Sequence, residues 1–198
     1  MPILIINITS KNSDSFSDLI SEIEESSIEK VIFISSTSVY QNSNGLVSEA
    51  DGTEDVNNVL FNIENLFRKN SHFQTTIVRL SGLIGYQRHP GRFFKHGKKI
   101  QQAEAPVNLI HRDDCIAIIN EIIVQDIWGE TFNACADTHP TKREFYSHAR
   151  RLLGLEAPEF ASAEQQQYKI IDNSKVKKRL NYTFKHPDVM NITFEGQN

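Results

Sequence analysis

The chain opens on an apolar run, Ile3 to Ile8, interrupted by Asn7, which predicts a strand buried on both faces. Over residues 14–26 the period changes. Phe16, Leu19, Ile20 and Ile23 recur at i, i+3, i+4 and i+7, the spacing of an amphipathic helix. Val31-Ile32-Phe33-Ile34 predicts a second buried strand, which runs directly into Ser35-Ser36-Thr37-Ser38 and then Val39-Tyr40. Strand, helix, strand at this spacing predicts a parallel pair joined by a right-handed crossover. A polar loop over 37–53 carries the turn signals Asn44-Gly45 and Asp51-Gly52. Thr53 then fits an N-cap, with Glu54 and Asp55 in the first turn of a helix over 54–70. Its apolar stripe is Val56, Val59, Leu60, Ile63 and Phe67, and Thr75–Leu80 follows as a third strand.

Beyond residue 80 the rhythm loosens. Residues 81–99 are rich in glycine and basic side chains and show little periodicity. Asp113 reads as the cap of a helix that turns Ile116, Ile119 and Ile123 inward, and Thr131–Ala136 reads as a strand. Thr141-Lys142-Arg143-Glu144 has the form of a capping box, opening a helix through Phe145, Ala149 and Leu152 that Gly154 ends. A short basic helix over 174–180 has Val176 and Leu180 as its apolar anchors. The expected class is therefore α/β. Residues 1–80 resemble a partial Rossmann-like parallel sheet, and residues 81–198 are expected to add a small C-terminal α/β lobe.

Composition narrows the function classes. A length of 198 residues, 39% hydrophobic and 23% charged, suits one packed unit. The formal net charge of −4 argues against nucleic-acid or membrane-surface binding. Cys115 and Cys135 lack any metal-ligand spacing, so they read as buried reduced thiols of a cytoplasmic protein, and no metal site is expected.

The candidate chemistry begins with the hydroxyl cluster. At the carboxyl end of a parallel strand, Ser36 and Thr37 stand where open α/β sheets bind ligands. The alternative is that Ser35–Ser38 cap backbone groups. Tyr40 is expected to pack with its hydroxyl bonded at the rim. Arg79, inside an apolar strand, needs a buried partner, and Asp114 or Glu49 is the candidate. Arg88, Arg92, Lys95, Lys98 and Lys99, with His89 and His96, crowd one loop that could clamp a phosphate. A Ser36-His111-Asp114 hydrolytic triad has no nucleophile-elbow motif behind it, so Asp114 reads as an anchor. The run Lys175–Arg179 reads as a solvated helix face.

The segment VIFISSTSVY closely resembles the active-site serine strand of the extended short-chain dehydrogenase/reductases, the family of NAD(P)-dependent nucleotide-sugar epimerases and dehydratases. Val78-Arg79-Leu80-Ser81-Gly82-Leu83-Ile84-Gly85 resembles that family's next strand and loop. Asn108-Leu109-Ile110-His111-Arg112-Asp113-Asp114 resembles its N-x-I-H-V-x-D segment. Trp128 to Asp137 resembles its G-x-x-Y-N-V strand, and Asp172 to Pro187 its closing N-x-K…G-Y-x-F-x-Y-P run. The resemblance implies a nucleotide-sugar substrate met by Ser36, Thr37, Arg88, Arg92 and His111. It implies Ser36 as the catalytic hydroxyl, NAD or NADP as cofactor with Ser35 beside it, and a homodimer through the helices at 14–26 and 54–70.

Two departures qualify that expectation. Residues 1–8 match the family's fourth strand, and its Gly-rich pyrophosphate turn has no counterpart here. The Tyr-x-x-x-Lys pair is also absent. In one register Val56 and Leu60 take those places, in another Phe61 and Asn65. A non-catalytic ligand-binding or interaction protein of the same ancestry is the alternative.

Overall fold

The computed structural model describes residues 2–94, 98–162 and 167–194. Its centre is a parallel four-stranded sheet in the order β1 (Ile3–Ile6), β2 (Lys30–Ser36), β4 (Gln74–Leu80), β7 (Thr131–Ala134). Every neighbouring pair is parallel, as helical crossovers require. Helices α1 (Ser13–Glu24) and α2 (Val59–Arg68) cover one face, where Phe16, Ile23, Ile63 and Phe67 pack on Val31, Phe33 and Ile77. Phe33 and Phe67 stack at 4.9 Å. The opposite face, built on Ile32, Val78 and Phe132, is covered by α3 (Arg112–Val124) and α5 (Ser174–Arg179) through Ile118, Ile122 and Val176.

Two short parallel pairs flank this sheet. β3 (Leu46–Val47) pairs with β8 (Ile170–Ile171), and β5 (Gly82–Ile84) with β6 (Leu109–His111). Their two or three residues are too few to show a period in sequence. Helix α4 (Lys142–Arg151) opens on the expected capping box. The Thr141 Oγ1 accepts the Glu144 N–H, and the Glu144 carboxylate accepts the Thr141 N–H. Gly154 follows with φ of +65°, the left-handed conformation that ends helices. Val176 and Leu180 are buried as anchors of α5.

Three expectations are corrected. The first strand is not buried on both faces. β1 lies at the sheet edge, and Ile3 and Ile5 are 36% and 46% exposed. Ile5 is in register with Ile32, on the face that α3 covers further into the sheet, and is left about half exposed at the edge. The second helix starts at Val59, capped by Asn58, and not at Thr53. Residues 53–58 are drawn instead into backbone bonds with the serine-strand loop: Gln41 N–H to Thr53 O, Asp55 N–H to Val39 O, and the Tyr40–Glu54 bridge. Val56 is left 69% exposed. In α3 the cap is His111, not Asp113, and Ile116 faces solvent while Cys115, Ile118 and Ile122 face the core.

Candidate functional site

The hydroxyl cluster ends β2 as the pattern predicts, but each member is engaged differently. Ser35 donates to Glu64 Oε1 at 2.5 Å in the core. Ser36 caps the short 3-10 turn Thr37–Val39 by accepting the Ser38 N–H, which leaves its own proton to give. Thr37 lies 3.4 Å from the Ser81 hydroxyl at the end of β4. Tyr40 is buried, and its hydroxyl donates to Asn133 Oδ1, the packed role expected of it. Burial pushes the Tyr40 phenol up to about 12, against the pull of Arg79.

Beneath this cluster lies Arg79, which is buried, as is Glu64, while Glu54 is partly buried. Its carboxylates are Glu64 and Glu54, not Asp114 or Glu49. Burial works against the cation, but the hydrogen bonds and charge of Glu64 and Glu54 hold the guanidinium above its ordinary value. Its plane sits over the Tyr40 ring at 4.6 Å. Asp114 and Glu49 are used elsewhere. Asp114 accepts from the Tyr182 hydroxyl and from the Lys185 and His186 N–H groups, so the C-terminal segment is tied to α3. Glu49 accepts the Asn133 N–H. These commitments leave no Ser36-His111-Asp114 relay.

Past Ser81 the chain forms the wall of a pocket of about 500 Å³, lined by Leu83, Ile84, Gly85, Tyr86, Gln87, Arg88 and Arg112. Arg88 donates to Leu83 O and lies against Phe93, and Arg112 lies 3.6 Å over the Tyr86 ring. The pocket floor is tight. Gly85 has φ of +117°, and a Cβ there would sit 2.4 Å from His111 Nε2. Gly85→Ala is therefore expected to cost about 1–3 kcal/mol through strain and overpacking. Urea unfolding measures it, and a loss below roughly 0.5 kcal/mol, within the range of an ordinary surface change, would contradict the contact.

The predicted basic loop only partly converges. Arg88 borders the pocket, whereas Arg92 is exposed on the 3-10 turn Pro90–Arg92 and Lys99 faces Glu159 at 3.9 Å. His89 is buried, accepts the Gly91 N–H and lies against Phe194. Lys95 and His96 lie outside the described residues. The basic run of α5 is more engaged than a solvated face: Lys175 and Arg179 both reach Glu130, and Lys177 reaches Asp137.

Sequence reasoning missed the aromatic and imidazole cluster behind the pocket. Tyr86 stacks on His111 at 5.7 Å, and the His111 and His186 rings lie 3.8 Å apart. His186 replaces the tyrosine of the family's closing motif. That substitution was the available signal.

The hydroxyl cluster faces Asn58, which donates to Ser38 O, and no tyrosine hydroxyl or lysine ammonium of α2 stands beside Ser36. No Gly-rich turn follows β1, where Asn7-Ile8-Thr9-Ser10 leads to the Asn12 cap of α1. These residues do not fit a nicotinamide cofactor, and no hydride step follows from them. Both cysteines are buried and unpaired, with thiols pushed up to about 12 by burial.

No protein-family model matches the chain. Protein YeeZ of Escherichia coli (strain K12) is 38% identical over 172 residues, which are 85% of this chain and 62% of that protein. The chain thus spans less than two thirds of that relative's length. A functionally unknown conserved protein from Silicibacter pomeroyi aligns with a TM-score of 0.82 at 20% identity, over 95% of this chain and 74% of that one. The dTDP-glucose 4,6-dehydratase of Bacillus anthracis, in complex with NAD, aligns at 0.75 with 15% identity, over 95% and 69%. The chain has the Rossmann-like fold of these proteins, as the serine-strand resemblance implied. Among the described residues no helix is long and apolar enough to cross a membrane.

Proposed function

We propose that this chain, which has the fold of an NAD-carrying nucleotide-sugar dehydratase, is an epimerase/dehydratase-like protein whose 198 residues hold the nucleotide sugar and not the nicotinamide. One observation carries the reading: the pocket that follows the hydroxyl cluster has two guanidinium groups, Arg88 and Arg112, on its wall. Paired guanidinium groups match a diphosphate in charge and fork geometry. Ser81 links the two regions, since it touches Thr37 and leads directly into the pocket strand. In this reading Ser36 and Thr37 meet the sugar, Arg88 and Arg112 the diphosphate, and His111 supports the floor. Arg92 contributes longer-range charge. Ser35 is held by Glu64, and a cofactor of the NAD or NADP type would depend on residues this chain does not supply.

The experiment is a thermal-shift titration with UDP-glucose and dTDP-glucose. The wild-type chain is expected to be stabilised, by an increment that grows with ligand concentration. Arg88→Ala is expected to abolish most of that increment and Arg92→Ala to reduce it less. An equal shift in all three proteins would defeat the diphosphate assignment.

The non-catalytic reading is favoured by α2, which offers Leu60, Phe61 and Asn65 where an acid/base pair would stand. Binding without turnover of the nucleotide sugar, with NAD added, supports it, and measurable turnover removes it. We also propose a homodimer through α1 and α2 in the cytoplasm. Val59 and Leu66 of α2 are 41% and 39% exposed and would be covered there. Light scattering should give twice the chain mass, and a monomer at all concentrations would contradict it.

A further inference from the structure

His111, Asp113 and His186 are the group of three potential metal ligands found among the described residues, with one donor atom from each lying within 4.8 Å of the others. His111 Nδ1 and His186 Nε2 each stand 3.6 Å from the same oxygen, Asp113 Oδ2. Donors bound to one ion at the zinc distance of about 2.0–2.1 Å sit roughly 3.3 Å apart in a tetrahedron. Small side-chain rotations close that gap. We propose that His111, Asp113 and His186 form a binding site for a divalent transition cation of the zinc class.

Two features point the same way. First, the donor set is two imidazoles and one carboxylate, which suits zinc and its neighbours and not calcium or magnesium. Second, the carboxylate is already oriented. Tyr86 donates to Asp113 Oδ1 at 2.5 Å, which turns Oδ2 toward both histidines, as the outer-shell partner of a metal carboxylate does.

The site has identifiable costs. His111 Nδ1 accepts the Asp113 N–H at 3.2 Å, and ligation through that nitrogen exchanges this long bond for the metal. The Arg112 guanidinium is close, but it lies on the face of Tyr86. His186 and Asp113 are about a third exposed, at 30% and 31%, so water can complete the coordination and an ion can enter. Occupancy would pin the C-terminal segment carrying His186 to the start of α3, behind the pocket wall. This proposal stands independently of the nucleotide-sugar reading.

The test is calorimetric titration of the chelator-treated chain with Zn2+, repeated with Co2+ while the visible absorption is recorded. One saturable site is expected, with Co2+ bands of the intensity of a four- or five-coordinate ion and a raised melting temperature. His186→Ala is expected to abolish the site. His186→Gln, which keeps the bulk and the backbone bond to Asp114, should do the same. Tyr86→Phe should weaken binding roughly tenfold, as loss of an outer-shell partner does. Circular dichroism of the metal-free variants checks that they fold. No saturable Zn2+ binding in the wild type, or equal affinity in His186→Gln, overturns the proposal.

Discussion

Arg79→Met is expected to destabilise the chain by about 3–5 kcal/mol, because it strands a buried carboxylate. Glu64 is fully buried, and Arg79 supplies two of its charged contacts, Nε at 3.0 Å and Nη2 at 2.6 Å. With the guanidinium gone, Glu64 retains the Ser35 hydroxyl and one ion-pair contact from Arg68 Nη2 at 3.2 Å, and the partly exposed Arg68 cation offsets only part of what the buried Arg79 supplied. Glu54 loses its 2.6 Å partner as well, and with it the anchor of the 53–58 segment. The loss is a large share of the roughly 5–15 kcal/mol that holds a typical domain together. Urea unfolding followed by far-UV circular dichroism reads it as a lower midpoint. Adding Glu64→Gln to Arg79→Met should recover part of the loss, since the stranded charge is removed. A single-variant cost below about 1 kcal/mol, the scale of an exposed ion pair, would show that the network is solvated and not buried.

Asp114→Ala should be of similar size, about 3–5 kcal/mol, by a different route. The carboxylate collects one hydroxyl and two backbone N–H groups from residues 182–186. Each buried donor left without a partner costs about 1–3 kcal/mol. The damage should be directional. Hydrogen exchange at Lys185 and His186 should accelerate, and Tyr182, packed edge-on against Phe184 at 5.2 Å, should lose its fixed environment. The central sheet should exchange as before. Faster exchange spread evenly over β2 and β4 would contradict the view of Asp114 as the clasp of the C-terminal segment.

The parts legible in the sequence are those governed by local pattern. The serine strand declares itself because four β-branched or aromatic positions abut four hydroxyls. The capping box of α4 is written in four consecutive residues and forms as written. Helix α3 resisted the same treatment. Ile116, Ile118, Ile119, Ile122 and Ile123 spread over an arc of roughly 160° at the helical period, so the period alone cannot choose which edge of that stripe is buried. Tertiary packing chose Ile118 and Ile122. The start of α2 was misplaced because Thr53 has the chemistry of a cap but is held by strand-like bonds to the serine loop. Its buried hydroxyl has no hydrogen-bond partner among the described residues. The partners of Arg79 were out of reach for a related reason. Nothing in the sequence ranks Glu54 and Glu64 above Asp114 or Glu49, and only the packing of α2 on β2 and β4 brings Glu64 under the strand. The His111–Asp113–His186 cluster joins the start of a helix to the far C-terminal segment, a proximity no local spacing encodes.

The central claim is the proposal that this chain, with its Rossmann-like fold, carries the wall of a nucleotide-sugar pocket and, in its 198 residues, no set that holds a nicotinamide. Calorimetric titration of the wild-type chain with NADH, repeated with NADPH, tests it most directly. The account predicts no saturable heat with either cofactor under conditions where UDP-glucose binds. Saturable micromolar binding of NADH or NADPH would contradict it.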